Sequence, residues 1–316
     1  MDALKGIPQA TVLREADALE PYRRDESHVW GELPLAVVKP RGPAALRELV
    51  RLAKAEGLAL VPRGAGTGKA GGCVPLGRAV VVDMSQWPGS IDVSRADLRL
   101  RAPVSAMLRD VKAAAASAGL FYAPDPNSWD QCAFGGSLAT NAGGPSACKY
   151  GMTRHWVLSV EALMDDGELH RFGIDTVKNN AGPNLAQLLV GSEGLFGLLT
   201  EATVRLIPAP QEHLTLLLPA GDWHELLALP TRLLEAGFLP SAFEFWDPAV
   251  LEELRRFGPE EARRLPGEAL ALLEFDDPGC HGADFLERLM EALGTMADDL
   301  QSATDARQRE ALWEVR

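Results

Sequence analysis

The chain has 316 residues, 47% hydrophobic and 24% charged, which is enough for two domains with buried cores and too apolar for a disordered chain. Its formal charge of −13 makes the overall field repel nucleic acid and anionic membrane surfaces, so neither is expected as a partner. No stretch of eighteen uncharged apolar residues occurs, so no signal peptide or integral membrane segment is expected and the reading is cytoplasmic.

Four cysteines, Cys73, Cys132, Cys148 and Cys280, form no C-x-x-C pair, which argues against an iron–sulfur cluster or structural zinc in this chain and for reduced thiols. The six histidines never fall at i, i+4 or in H-x-H, so no metal site is expected.

Taken in order, "PLAVVKP" reads as a strand, Pro43 to Glu56 as a helix with proline in its first turn and Gly57 past its end, and "LALVP" and "AVVVDM" as two further strands. This is a small α/β unit covering 1–89, with a glycine-rich loop, "RGAGTGKAGG", at the C-terminal end of a strand, where ligands of such sheets sit.

Two familiar readings of that loop fail. A P-loop needs Ser or Thr after the lysine and glycine at the head of the motif, but Lys69 is followed by Ala70 and the head position is Arg63. Gly66, Gly68 and Gly71 match G-x-G-x-x-G, yet no helix fits before the next strand, so the context of a Rossmann fingerprint is missing. What remains is an anion-binding nest of backbone N–H groups with Arg63 at its lip, or a plain glycine-rich turn.

From Ser90 the pattern becomes antiparallel. "SIDVS" and "DLRLRAP" pair as a hairpin, "VSAMLRDVKAAAASAG" reads as a helix ended by Gly119, "HWVLSVEALMDDGELHRFG" as a second hairpin, "PNLAQLLVGS" as a short helix and "TEATVRLI" as a strand closed by Pro208 and Pro210. The domain boundary is placed there, giving 1–210 (subdomains 1–89 and 90–210) and 211–316. Beyond it strands "HLTLLLP", "SAFEFW" and "EALALLEF" alternate with helices "WHELLALPTRLLEAG", "PAVLEELRRF" and "GADFLERLMEALG", an α+β pattern with an antiparallel sheet. The final "DARQREALWEVR" reads as a helix with no cap or breaker at its end, so this second domain is expected to be incomplete.

Between the first helix of the antiparallel region and the second hairpin lies "YAPDPNSWDQCAFGGSLATNAGGPSACKYGMTR", long for a loop and nearly free of large side chains over "GGSLATNAGG". Small residues admit a flat, bulky group close to the backbone, with Ser137, Thr140 and Asn141 as hydrogen-bonding groups; a ligand-free small-residue loop is the bland alternative. Two such clusters in one domain suit a ligand with a pyrophosphate at one end and a broad ring at the other.

Four segments in this order, "VPRGAGTG", "PDPNS", "GGSLATNAGGPSACKYGMTR" and "LLVGSEGLFGLLTEATVRLIPAP", resemble the flavoproteins of the vanillyl-alcohol oxidase and p-cresol methylhydroxylase superfamily, in particular the glycolate oxidase and D-lactate dehydrogenase branch. The resemblance implies an α+β fold: an FAD-binding domain of two α/β subdomains, a small mixed sheet and a larger antiparallel sheet, followed by a substrate (cap) domain. It implies FAD held on Pro62, Arg63, Gly64, Ala65, Gly66, Thr67 and Gly68, enclosed by Pro124, Asp125, Ser128, Gly135, Gly136, Ser137, Ala139, Thr140, Asn141, Gly143 and Gly144, with Gly194 and Leu199 closing the adenosine side. Asn127 and the segment Gly182 to Leu185 depart from the usual family pattern.

No histidine or cysteine stands at a recognisable attachment position, so the FAD is expected to be non-covalent. The activity implied is oxidation of a small 2-hydroxy acid to the 2-oxo acid, with an iron–sulfur subunit as a candidate electron acceptor; the alternative is a non-catalytic flavin-carrying subunit. The base and carboxylate clamp are expected beyond residue 316, with Arg316 the candidate substrate contact within the chain. Slow flavin reduction by this chain follows as an expectation, with His155 and Lys149 the next positions to test.

Overall fold

The computed structural model describes residues 4, 6–258 and 265–316. The chain divides into two compact units, one of Met1–Gly144 with Met152–Ala209, the other of Pro145–Gly151 with Pro210–Arg316.

The first unit opens with β1 (Ala10–Leu13), α1 (Ala16–Leu19), β2 (Ala36–Pro40), α2 (Pro43–Glu56), β3 (Ala59–Arg63) and β4 (Ala79–Asp83). The sheet order is β1-β2-β4-β3, with β2 and β3 parallel to β4 and β1 antiparallel to β2, so the sheet is mixed. The valines of β2 and β4 are fully buried, the pattern of central strands covered on both faces. β3 is an edge strand, where Pro62 costs no ladder bond. A crossover between parallel strands needs a dozen or more residues, and here residues 64–78 supply it as irregular chain with no helix. β1 was not legible in the sequence.

There follow β5 (Asp92–Ser94), β6 (Arg99–Pro103), α3 (Leu108–Ser117), β7 (Leu120–Phe121), α4 (Phe134–Ala139), α5 (Ala147–Tyr150, part of the second unit), β8 (Val157–Leu163), β9 (Leu169–Gly173), α6 (Ala186–Leu189), β10 (Leu198–Arg205) and β11 (Ile207–Pro208). The sheet β5-β6-β10-β8-β9 is antiparallel throughout. In register, Ala202 of β10 faces Ala102 of β6 and Val160 of β8, and all three are buried. The alternate residues carry a polar network in which Arg171 Nη2 reaches Asp175 Oδ1 at 2.8 Å and Ser159 Oγ at 3.0 Å. This is the one-sided alternation of an antiparallel sheet with one face on a core.

The second unit contains β12 (Leu214–Ala220), α7 (Trp223–Glu235), β13 (Ala242–Trp246), α8 (Pro248–Phe257), β14 (Ala269–Phe275), α9 (Ala283–Leu293), β15 (Gln301–Ala303) and α10 (Ala306–Trp313). Its antiparallel sheet runs β13-β14-β12-β15. Leu214, Leu216 and Leu218 pack with α7 and α9 on one face, while Leu217, Leu270 and Leu272 pack with Leu251 of α8 and Val315 on the other. β12 is therefore buried along its whole length, which explains its unbroken apolar run.

Candidate functional site

The first unit contains a cavity of about 630 Å³ at the C-terminal end of β3. One wall is Pro62 to Ala70 with Gly72 and Cys73, a second is Pro126 to Ser128 with Gly135 to Ser137, and a third is Glu193, Gly194 and Gly197 to Leu199. Among the described residues, the backbone N–H groups from Gly64 to Ala70 donate to no protein acceptor. These residues line the cavity and are half-buried or exposed, so the run is a set of donors left open to a ligand.

Arg63 is fixed at the mouth of that loop. Its Nη1 donates to the Arg24 carbonyl at 2.8 Å, and its guanidinium lies 5.3 Å from the centre of the Tyr22 ring. Tyr22 is held in turn by its hydroxyl, which donates to Asp83 Oδ2 at 2.7 Å, and Lys39 Nζ meets the same oxygen at 2.8 Å. Gly66 has φ +77°, and a β-carbon there would run into the Arg63 guanidinium. Glycine at this position leaves room for the Arg63 guanidinium against the turn.

The second wall corrects one expectation. "GGSLATNAGG" was read as irregular, yet Phe134–Ala139 is a short helix, α4. Two glycines disfavour a helix, but the first turn is pinned by Phe134 N–H to the Ala106 carbonyl at 2.8 Å and Gly135 N–H to the Val104 carbonyl at 3.0 Å. The polar side chains serve this turn: Ser137 Oγ donates to the Phe134 carbonyl (2.8 Å), Thr140 Oγ1 to the Gly136 carbonyl (2.9 Å), and Asn141 Oδ1 accepts from Arg154 N–H (2.8 Å). The wall thus presents mainly backbone and small side chains to the cavity. The third wall is tied to α4 by Gly191 N–H to Leu138 O at 3.0 Å and Glu193 N–H to Ala139 O at 2.9 Å, while Gly194 lies so close to the Pro62 ring that a β-carbon could not fit.

Of the residues singled out from the sequence, Pro62 to Gly68, Ser128, Gly135 to Ser137, Ala139, Thr140, Gly143, Gly194 and Leu199 line the cavity together. Pro124, Asp125, Asn141 and Gly144 do not; Gly144 packs on the Asp125 carbonyl behind the lining. Arg316 belongs to the second unit, where its Nε donates to Glu244 Oε2 at 2.9 Å. Sequence reading missed Asp25, Lys69, Met84, Val104, Cys132 and Glu193, which also line the cavity. Lys69 and Glu193 lay inside segments already singled out; Asp25 and Met84 gave no local signal.

Two family descriptions match: an FAD binding domain over residues 34–173 and the C-terminal domain of FAD linked oxidases over 209–316. The chain belongs to the FAD-linked oxidases. It is 32% identical to D-2-hydroxyglutarate dehydrogenase of Xanthomonas citri pv. viticola, over 99% of this chain and 66% of the relative, and 30% identical to glycolate oxidase subunit GlcD of Escherichia coli, over 97% and 61%. The chain thus spans just under two thirds of the length of these curated relatives. In fold it is similar to a solved alkyldihydroxyacetonephosphate synthase, with TM-score 0.75 at 20% identity over 98% of this chain and 61% of that one.

FAD is the cofactor of this chain, and the cavity fits it. About 630 Å³ lies within the range of cofactor sites. The N–H run beside Arg63 and Lys69 suits a diphosphate, and the small-residue wall admits a flat ring close to the backbone. Asp25 and Glu193 add acceptors for hydroxyl or amino groups. Cys73, also in the wall, has its thiol pushed up to about 11 by burial and by Asp25 against the opposing charge of Arg63, so it stays protonated near neutrality.

Proposed function

We propose that this chain carries the FAD of an enzyme that oxidises a small 2-hydroxy acid, of the glycolate, D-lactate or D-2-hydroxyglutarate class, to the 2-oxo acid. The single observation behind the reading is the cavity, with its free N–H run and small-residue wall, in a chain whose relatives are named for 2-hydroxy-acid substrates. Pro62 to Gly68 bind the pyrophosphate, with Arg63 held ready by Arg24 and Tyr22. Gly135, Gly136, Ser137, Ala139, Thr140 and Gly143 enclose the dinucleotide, Gly194 and Leu199 close it, and Pro124, Asp125, Asn141 and Gly144 support the enclosing wall from behind. When bound, the flavin supplies the two-electron redox chemistry of the reaction. The protein's part is to orient the cofactor and exclude water from it. Arg316, released from Glu244, is the candidate partner of a substrate carboxylate, since an arginine fork matches a carboxylate.

The cofactor is held non-covalently in this reading, since burial raises the thiols of both lining cysteines, Cys73 and Cys132, and makes them poor nucleophiles near neutral pH; acid precipitation should leave the flavin in the supernatant. Four unpaired cysteines fit a reducing, cytoplasmic setting, and among the described residues no helix is long and apolar enough to cross a membrane. A second reading, a flavin-carrying subunit that passes electrons to an iron–sulfur partner, draws on the relative that is itself a subunit. Anaerobic mixing of the FAD-loaded protein with glycolate, D-lactate or D-2-hydroxyglutarate separates the two. Bleaching of the flavin, however slow, with one 2-oxo acid formed per flavin supports the enzyme; no bleaching by any of the three over many hours supports the carrier.

A further inference from the structure

Helix α3 holds the segment 122–132 at both ends. At one end Leu108 N–H donates to the Cys132 carbonyl at 3.0 Å and Arg109 Nη1 to the Asp130 carbonyl at 3.2 Å. At the other, the single ammonium of Lys112 donates to the carbonyls of Tyr122 (2.8 Å), Ala123 (3.4 Å) and Pro124 (3.0 Å). The middle of the segment, Pro126 to Ser128, lines the cavity, and Ser128 Oγ lies 3.4 Å from Thr67 Oγ1 of the glycine loop.

An exposed lysine on a helix would spend its charge on water. Here the ammonium turns inward onto three carbonyls that run in sequence, and each of its three N–H groups has one acceptor. We propose that Lys112 is a positioning residue that sets segment 122–132 as a wall of the cavity by gathering its first three carbonyls onto one ammonium.

Burial pushes its pKa down to about 8, against the opposing pull of the Asp125 carboxylate and of Cys132, and the ring of Phe121 lies 5.7 Å away. Near neutral pH the group is therefore still an ammonium and keeps its three N–H donors.

The test is amide hydrogen exchange on the cofactor-free chain for wild type, Lys112→Met and Lys112→Arg at about pH 7. Expected is exchange about tenfold faster within 122–132 in Lys112→Met, the scale of one lost charged hydrogen bond, with protection restored in Lys112→Arg, which keeps the charge and its donors. Unchanged protection in Lys112→Met, or equal loss of protection in Lys112→Met and Lys112→Arg, would overturn the proposal. If Lys112→Met does not fold, Lys112→Gln takes its place. A second arm, resting on the cofactor reading above, measures FAD affinity, expected about tenfold weaker in Lys112→Met. Failure of wild type to take up FAD while exchange behaves as expected would sink the cofactor reading and leave the wall role standing.

Discussion

Gly66 carries the most specific requirement in the loop. Its φ of +77° is strained for any side chain, and the space a β-carbon would occupy is filled by the guanidinium of Arg63. Gly66→Val should therefore displace Arg63 as well as distort the N–H run, weakening FAD binding by about tenfold or more, the value of a lost charge-assisted bond. Fluorescence titration measures this, and unchanged affinity would place the phosphate elsewhere. Arg63→Met tests the charge alone. It keeps the stem, removes the contacts to Arg24 and Tyr22, and should weaken FAD binding by about one order of magnitude with an effect that shrinks at high salt, as for any partly exposed ion pair.

Among the elements, α10 is docked on the sheet of the second unit by one carboxylate. Glu274 Oε2 accepts from Trp313 Nε1 at 2.7 Å and Thr215 Oγ1 at 2.9 Å, Arg309 Nη2 meets Oε1 at 3.1 Å, and His213 lies 3.6 Å away. Burial alone would raise this carboxyl, but these neighbours outweigh it and hold the pKa at about 2. A carboxylate depressed in the folded state contributes stability above its unfolded value near 4.5, and the contribution is lost as pH falls toward about 2. Glu274→Gln should cost about 3 kcal/mol near neutral pH by denaturant unfolding and flatten the acid limb of the stability curve. A variant as stable as wild type, with the same acid limb, would contradict this.

The same scale shows what was legible. Helix α2 and strands β4, β12 and β14 could be read directly, because valine or leucine runs and helical periodicity report burial locally. β1 is four half-buried residues with no such signal. α4 defies the propensity of its glycines because Ala106 and Val104 supply its first acceptors from elsewhere in the chain. The partners of Arg63 are scattered from Tyr22 to Cys73, and Lys112 looks like any helical lysine until its three carbonyls are placed around it. Glycine loops are written in sequence; the groups that hold them are written in the fold.

For the whole molecule, cofactor and stability are linked. A ligand bound only by the folded state raises stability by about 2.7 kcal/mol at a hundredfold excess over Kd, so FAD should raise the melting temperature of the first unit, and Gly66→Val should cut the rise by about half or more. The central claim is that the cavity of the first unit holds one FAD. It is tested most directly by titrating cofactor-free protein with FAD and following flavin fluorescence and visible absorbance together. One equivalent taken up by the wild-type chain, with affinity at least about tenfold weaker in Gly66→Val, is the predicted result; no uptake by the wild type, or equal affinity in both, would contradict it.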